Sequence, residues 1–206
     1  MNIRVRFSKH GCLKFIGHLD VMRYFQKAMR RAEIDMCYSE GFSPHMIMSF
    51  ASPLGLGLES DGEYMDISVK QSPSSKEAVE RLNAVMAEGI KVLSWRELPE
   101  NSKNAMASVA GADYEVRFRE GYELEEGWKK KLEEFLALPE IRIMKETKKG
   151  EQEVDIRPWV YDYHIKDRTI FLKVSAGSVH NLKPELLLKA TGAGHRKLPR
   201  QNRTPH

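Results

Sequence analysis

The chain has 206 residues, 41% hydrophobic and 30% charged, which is enough for one or two cored domains of about 100 residues each. A mean hydropathy of −0.50 and the lack of any apolar run near the ~20 residues needed to cross a bilayer exclude a membrane-spanning helix, and Cys12 and Cys37 alone exclude a disulfide scaffold. The net charge of +4 is unevenly placed: residues 183–206 carry six basic residues against Glu185, so the preceding body is close to neutral and any case for a polyanionic partner rests on local patches.

At the N-terminus Ile3, Val5 and Phe7 alternate with Arg4, Arg6 and Ser8, the period of a strand with one buried face rather than of a secretory signal, so a cytoplasmic location is expected. From Gly17 to Asp35 the period lengthens, and Leu19, Met22, Phe25, Met29 and Ala32 form one apolar helical stripe with Asp20 in the first turn. Between Gly41 and Ser60 the only acid or base besides His45 is Glu59, and glycine and proline recur, so a long loop is expected around a short strand in which Met46, Met48 and Phe50 alternate with Ile47, Ser49 and Ala51. Tyr64 to Val69 is a further strand. Ser74 with Glu77 forms a capping box for a helix using Ala78, Leu82 and Val85 that ends near Gly89, and Ile90 to Leu93 closes the unit. The order β-α-β-β-α-β predicts a ferredoxin-like, split βαβ domain over residues 1–100.

Residues 101–111 have the composition of a linker, and Tyr114, Val116 and Phe118 then repeat the alternation of the first strand. A helix using Trp128, Leu132 and Phe135, a strand from Ile141 to Glu146, a turn at Lys148-Lys149-Gly150, paired strands at Val154 to Ile165 and Thr169 to Val174, and a helix opening at Pro184 complete a second α+β unit over residues 112–192. The fold class expected is α+β, two tandem ferredoxin-like domains with antiparallel sheets. Residues 193–206 are basic with little to bury, and disorder is expected there.

Metal and nucleotide chemistry find little support. His10, Cys12, His18, Cys37 and His45 lack the close ligand pairs of structural zinc, and Gly55-Leu56-Gly57 lacks the lysine and hydroxyl residue that follow a phosphate loop. The first helix offers more. Arg23, Lys27, Arg30 and Arg31 recur at helical spacing away from the apolar stripe, either as a solvated face or as a row of phosphate contacts. In the loop that follows, Phe42 or Phe50 offers a ring for a base, while Ser43, His45 and Ser49 offer hydrogen bonds, the mode by which single-stranded RNA is read. Packing of these rings in a core, and a structural role for His45, are the competing readings. Arg4 and Arg6, with Arg117 and Arg119 at the equivalent places in the second unit, are expected on the sheet face turned from the core, with salt bridges between the domains as their simplest use.

The run Phe15-Ile16-Gly17-His18-Leu19-Asp20-Val21-Met22-Arg23, with Ala28-Met29-Arg30-Arg31-Ala32, Gly41-Phe42-Ser43-Pro44-His45, Ser49-Phe50-Ala51-Ser52-Pro53-Leu54, Glu63-Tyr64-Met65-Asp66 and Asp155-Ile156-Arg157-Pro158, resembles the radical SAM-linked protein family over nearly all the chain but its tail. The chain departs from that pattern at Met46-Ile47, where many relatives have proline and a basic residue, which removes a cation from the loop. The resemblance implies a partner, a cobalamin-binding radical SAM protein encoded beside or fused to such a domain, which would carry the iron-sulfur cluster and leave this chain without a cofactor. By analogy with the tandem architecture of CRISPR RNA-processing endonucleases, it also implies an RNA substrate. The expectation is a non-catalytic RNA-binding accessory protein in which His18, Arg23, Lys27, Arg30, Arg31, Phe42, Ser43, His45 and Ser49 contact RNA. The alternatives are a metal-independent ribonuclease using His45 or His18 as general base, with Arg23 stabilising the transition state, and a scaffold that docks on the radical SAM partner without nucleic acid.

Overall fold

The N-terminal alternation becomes strand β1 (Asn2–Lys9), with Ile3, Val5 and Phe7 at most 2% exposed. In the computed structural model, residues 1–118, 125–147, 150–192 and 200–205 are described. No helix among them is long and apolar enough to cross a membrane. The chain divides into two units, Met1–Ala110 with Asn202–Pro205, and Gly111–Gln201.

After a 3-10 turn at Gly11–Phe15, helix α1 (His18–Arg31) starts at Gly17. Its buried stripe is Val21, Phe25, Ala28 and Met29, continued by Ala32. Leu19, expected in that stripe, is 59% exposed. At 3.6 residues per turn the stripe is centred between Val21 and Phe25, and Leu19 falls on its outer flank. The helix ends four residues before Asp35. Glu33 takes a positive φ of 54°, while Glu33 N–H donates to the Arg30 carbonyl and Ile34 N–H to the Met29 carbonyl, the paired bonds that commonly close a helix around glycine.

Strand β2 (Met48–Phe50) is only three residues long, β3 (Glu59–Ser68) follows, and α2 (Ser75–Val85) is capped by Ser74, whose hydroxyl accepts from Glu77 N–H. The helix stops at Val85 rather than near Gly89. Gly89 serves the turn into β4 (Ile90–Glu97), where it has φ 96° and its carbonyl accepts from His10 N–H at 2.7 Å. A Cβ there would sit 2.7 Å from the His10 carbonyl oxygen, a contact that only glycine escapes. The strands lie in the order β4-β1-β3-β2, every neighbour antiparallel. This is the split βαβ sheet, with Phe7, Phe25 and Phe50 meeting edge to face at 4.7 to 5.9 Å between it and α1. Burying each such ring contributes about 1.5–3 kcal/mol. Residues 101–110 are not a linker: α3 (Ala105–Ser108) belongs to this unit, and Ala105 N–H donates to Asp66.

In the second unit β5 (Gly111–Arg117) and α4 (Trp128–Leu136) precede a hairpin of β6 (Arg142–Thr147) and β7 (Gly150–Asp155), whose expected turn at Lys148-Lys149 lies outside the described residues, as does Arg119. The single strand expected from Val154 to Ile165 is broken in two. Asp155 accepts N–H bonds from Ile141 and Arg157, a 3-10 turn spans Arg157–Trp159, and Pro158 has no N–H to give a ladder. Strands β8 (Val160–Lys166) and β9 (Thr169–Ser175) and helix α5 (Pro184–Ala190) follow, the helix opening at proline as expected. The order β5-β9-β8, antiparallel throughout, repeats β1-β3-β2 of the first unit, with the β6-β7 hairpin added between helix and strand. The fold class is therefore mixed α+β with antiparallel sheets. The tail differs from expectation: residues 193–199 and 206 lie outside the described residues, but β10 (Arg200–Pro205) is a strand, and its Asn202 and Arg203 run parallel to Glu59 and Ser60. Ladder bonds are made by the backbone, so a segment without apolar side chains can still join a sheet edge.

Candidate nucleic-acid interface

Because α1 buries Val21, Phe25, Ala28 and Met29, the residues on the opposite side of the helix are driven outward. Arg23, Lys27, Arg30 and Arg31 are all exposed. Among the described residues Arg23 pairs with one carboxylate, Asp20 at 3.6 Å, and both side chains are more than 60% exposed, so the pair is screened and weak. Arg31 donates to the Val85 carbonyl at 3.1 Å and is partly committed to α2. Lys27 and Arg30 have no ion pair among the described residues. Two apolar side chains accompany this row that sequence reasoning does not mark as site residues: Leu19, on the same flank as Arg23, and Phe15, just ahead of α1, 64% exposed with the Lys14 ammonium 5.4 Å from its ring centre. Leu19 precedes Arg23 by one helical turn, a spacing that puts the two on one face, but the apolar period by itself reads Leu19 as inward.

His18 begins the helix half-buried, its ring edge-on to Phe50 at 5.2 Å. Phe50 is 8% exposed, so it is a core ring and offers no face to a base. The segment between helix and β2 is a small hairpin. Met36 bridges to Val69, Tyr38 to Met46, and Ile47 N–H donates to the Cys37 carbonyl. At its tip Phe42 is fully exposed, with Ser43 beside it. His45 is exposed and held by Ser39, whose hydroxyl lies 2.8 Å from Nδ1 and accepts the His45 N–H. Among the described residues no hydrogen bond, ion pair or ring contact joins Phe42, Ser43 or His45 to α1, and none joins His18 to His45.

Ser49 falls elsewhere. It is in register with Asp66, whereas its neighbour Phe50 is in register with Met65 and packs on α1. Successive residues of a strand face opposite sides, so Ser49 projects from the sheet face turned away from α1 and does not share a surface with Arg23, Lys27 and Arg30. That second face is internally paired. Arg4 grips Asp66 through two bonds of 2.8 and 3.0 Å and also donates to the Lys103 carbonyl, and the hydrogen bond to Asp66 pushes the Arg4 pKa further up. Arg6 reaches the Asp61 carbonyl at 3.4 Å, while its buried Nε has no hydrogen-bond partner among the described residues. Arg117 pairs with Glu115 on its own strand at 2.6 Å. The bridges expected between domains are thus, for Arg4 and Arg117, contacts within one unit.

At the other end of β1 the charges are also paired. Lys9 is 1% exposed, with Nζ donating to the Ile16 carbonyl at 3.3 Å; burial holds its pKa below the usual lysine range, and Glu63 opposes that effect. Lys14 bonds Glu59 at 2.9 Å, which lowers the Glu59 pKa.

No curated protein matches the chain. Among solved structures it is similar to a chain from the crystal structure of a Cbf5-Nop10-Gar1 complex, at 13% identity and a TM-score of 0.52, covering 98% of this chain and 48% of that one. It spans about half of that chain's length, and the likeness is one of fold. A family profile matches residues 2–184, which covers most of both units, and the chain belongs to that family, described as an uncharacterized protein conserved in bacteria (DUF2344).

Proposed function

We propose that this chain is a non-catalytic RNA-binding accessory protein that presents RNA to a separate, cobalamin-binding radical SAM enzyme. One observation carries the RNA half of the reading. On the outer face of α1, Arg23, Lys27 and Arg30 are exposed and, apart from one weak pairing of Arg23 with Asp20, have no carboxylate partner among the described residues. Guanidinium and ammonium groups in this condition can take phosphate oxygens without first breaking internal bonds, and they do so without reading sequence. Exposed Phe42, with Phe15 as a second ring, supplies faces on which an unpaired base can stack, and His45 supplies a ring nitrogen for a phosphate or base edge. The partner half rests on the resemblance of the Phe15–Arg23 and Gly41–His45 blocks. It is supported by the cysteine content, since Cys12 and Cys37 fall short of the four thiolates that usually hold an iron-sulfur cluster.

The test is an electrophoretic shift with cellular RNA at low salt, repeated across a salt series. Wild-type protein should bind. Arg23→Ala with Arg30→Ala should weaken binding to every sequence and reduce the log-log salt slope by about 0.7 for each phosphate no longer neutralised. Absence of any shift, with no RNA retained from lysate, overturns the reading. Capture of the radical SAM protein that persists after nuclease treatment by a chain that binds no RNA would select the scaffold instead.

A further inference from the structure

In the second unit a groove of about 360 Å³ is lined by Lys145 of β6, by Asn181 and Lys183 ahead of α5, and by Glu185, Leu186 and Lys189 of that helix. Three of these six side chains are cations and one is an anion, and none of the four takes part in an ion pair among the described residues. Ammonium groups facing a common hollow repel one another, and an anion seated among them relieves that repulsion. An aromatic pair adjoins the groove. The Lys145 ammonium lies 5.0 Å from the centre of the Trp159 ring, and the His180 ring is stacked on Trp159 at 4.9 Å with 30° between planes. His180 precedes the groove residue Asn181 and is exposed, so one side of its ring rests on Trp159 and the ring remains open to solvent.

We infer that this groove binds one nucleotide of an RNA strand, its phosphate among Lys145, Lys183 and Lys189 and its base stacked against His180. Glu185 and Asn181 supply an acceptor and a mixed donor and acceptor for a sugar hydroxyl or base edge, groups that a site for bare phosphate does not need. The inference rests on the RNA reading above and adds to it that the second unit has its own contact surface, built from residues remote in sequence from α1.

Fluorescence anisotropy of a labelled oligouridylate of about 20 nucleotides on the full chain tests both surfaces. Lys183→Glu with Lys189→Glu should lower affinity at least about ten-fold and His180→Ala about five- to ten-fold. Lys183→Arg should keep binding near wild type, with thermal midpoints unchanged for each variant. A photoactivated 4-thiouridine in the oligomer should crosslink to His180 or Trp159. If wild type binds, Arg23→Ala with Arg30→Ala weakens binding and the groove variants do not, the groove inference falls and the α1 reading stands. If the groove variants weaken binding and the α1 variant does not, the α1 reading falls and the groove stands. No binding by wild type sinks both. Full displacement of the oligomer by sub-millimolar AMP overturns the strand assignment in favour of a free nucleotide.

Discussion

Arg4 on β1 and Arg30 on α1 are the same side chain in opposite circumstances. Arg4 meets a carboxylate across the strand pair, makes three bonds to Asp66 and Lys103, and has 21% of its side chain exposed. Arg30 sits in the last turn of a helix whose outer face holds mostly cations, and no carboxylate pairs with it among the described residues. The first is part of the fold and the second is free to meet a ligand. A count of basic residues treats them alike. What separates them is register: β1 and β3 align Arg4 with Asp66, while the helical period of α1 sets Arg23, Lys27 and Arg30 in line.

Substitutions can break this contrast. The largest effect is expected at Asp66, which receives both Arg4 bonds and accepts the Ala105 N–H at the start of α3. Asp66→Ala should cost about 3 kcal/mol, seen as a lower urea midpoint, because it leaves a partly buried guanidinium without its partner. A midpoint at the wild-type value would mean that the second face is held by something other than this pair. Next comes Gly62, where a Cβ would lie 2.5 Å from Arg6 Nε. The atoms met belong to the end of a long flexible side chain that can swing aside, so Gly62→Ala should cost no more than about 1 kcal/mol in chemical denaturation, and Arg6→Ala in that background should return part of it if the clash is the cause.

A smaller effect distinguishes a paired cation by pH. Lys14 lowers the Glu59 pKa in the folded state, so the unfolded chain takes up the proton first as pH falls. The stability from this pair is present above the ordinary glutamate pKa and is lost as pH drops through the lowered one. Glu59→Gln should therefore flatten the acid limb of stability against pH, and an unchanged limb would show that Lys14 contributes nothing there. The smallest effect belongs to the free cations. Arg23→Ala with Lys27→Ala and Arg30→Ala should alter stability by no more than about 0.5 kcal/mol in thermal unfolding, and on the proposed reading the same variant should bind RNA less tightly. A marked drop in stability would place these side chains in the fold and remove the contrast with Arg4.

Several elements are readable from local chemistry alone. The β1 alternation, the Ser74 cap, and the proline that opens α5 each set the backbone through residues no more than a few positions apart. Elements that depend on distant partners read differently in the sequence and in the fold. Leu19 reads as inward because the centre of the stripe is fixed only where α1 meets the sheet. Phe50 reads either as a core ring or as a face for a base, because the packing on Phe7 and Phe25 that settles it joins three separate elements. The Val154 to Ile165 strand breaks because Asp155 turns back to Ile141. The groove of the second unit is invisible in the sequence for the same reason, since Lys145 and Lys189 are brought together from elements 44 positions apart.

By itself the amino-acid order determined the period of each strand and helix, the repeat of the β-α-β-β-α plan, and the row of cations on α1, because these depend on neighbours within one or two turns. Only the tertiary structure decided which arginines are occupied, which phenylalanine is open to solvent, and that Ser49 lies across the sheet from α1, because those outcomes turn on strand register, and a shift of one residue moves a side chain from one face to the other.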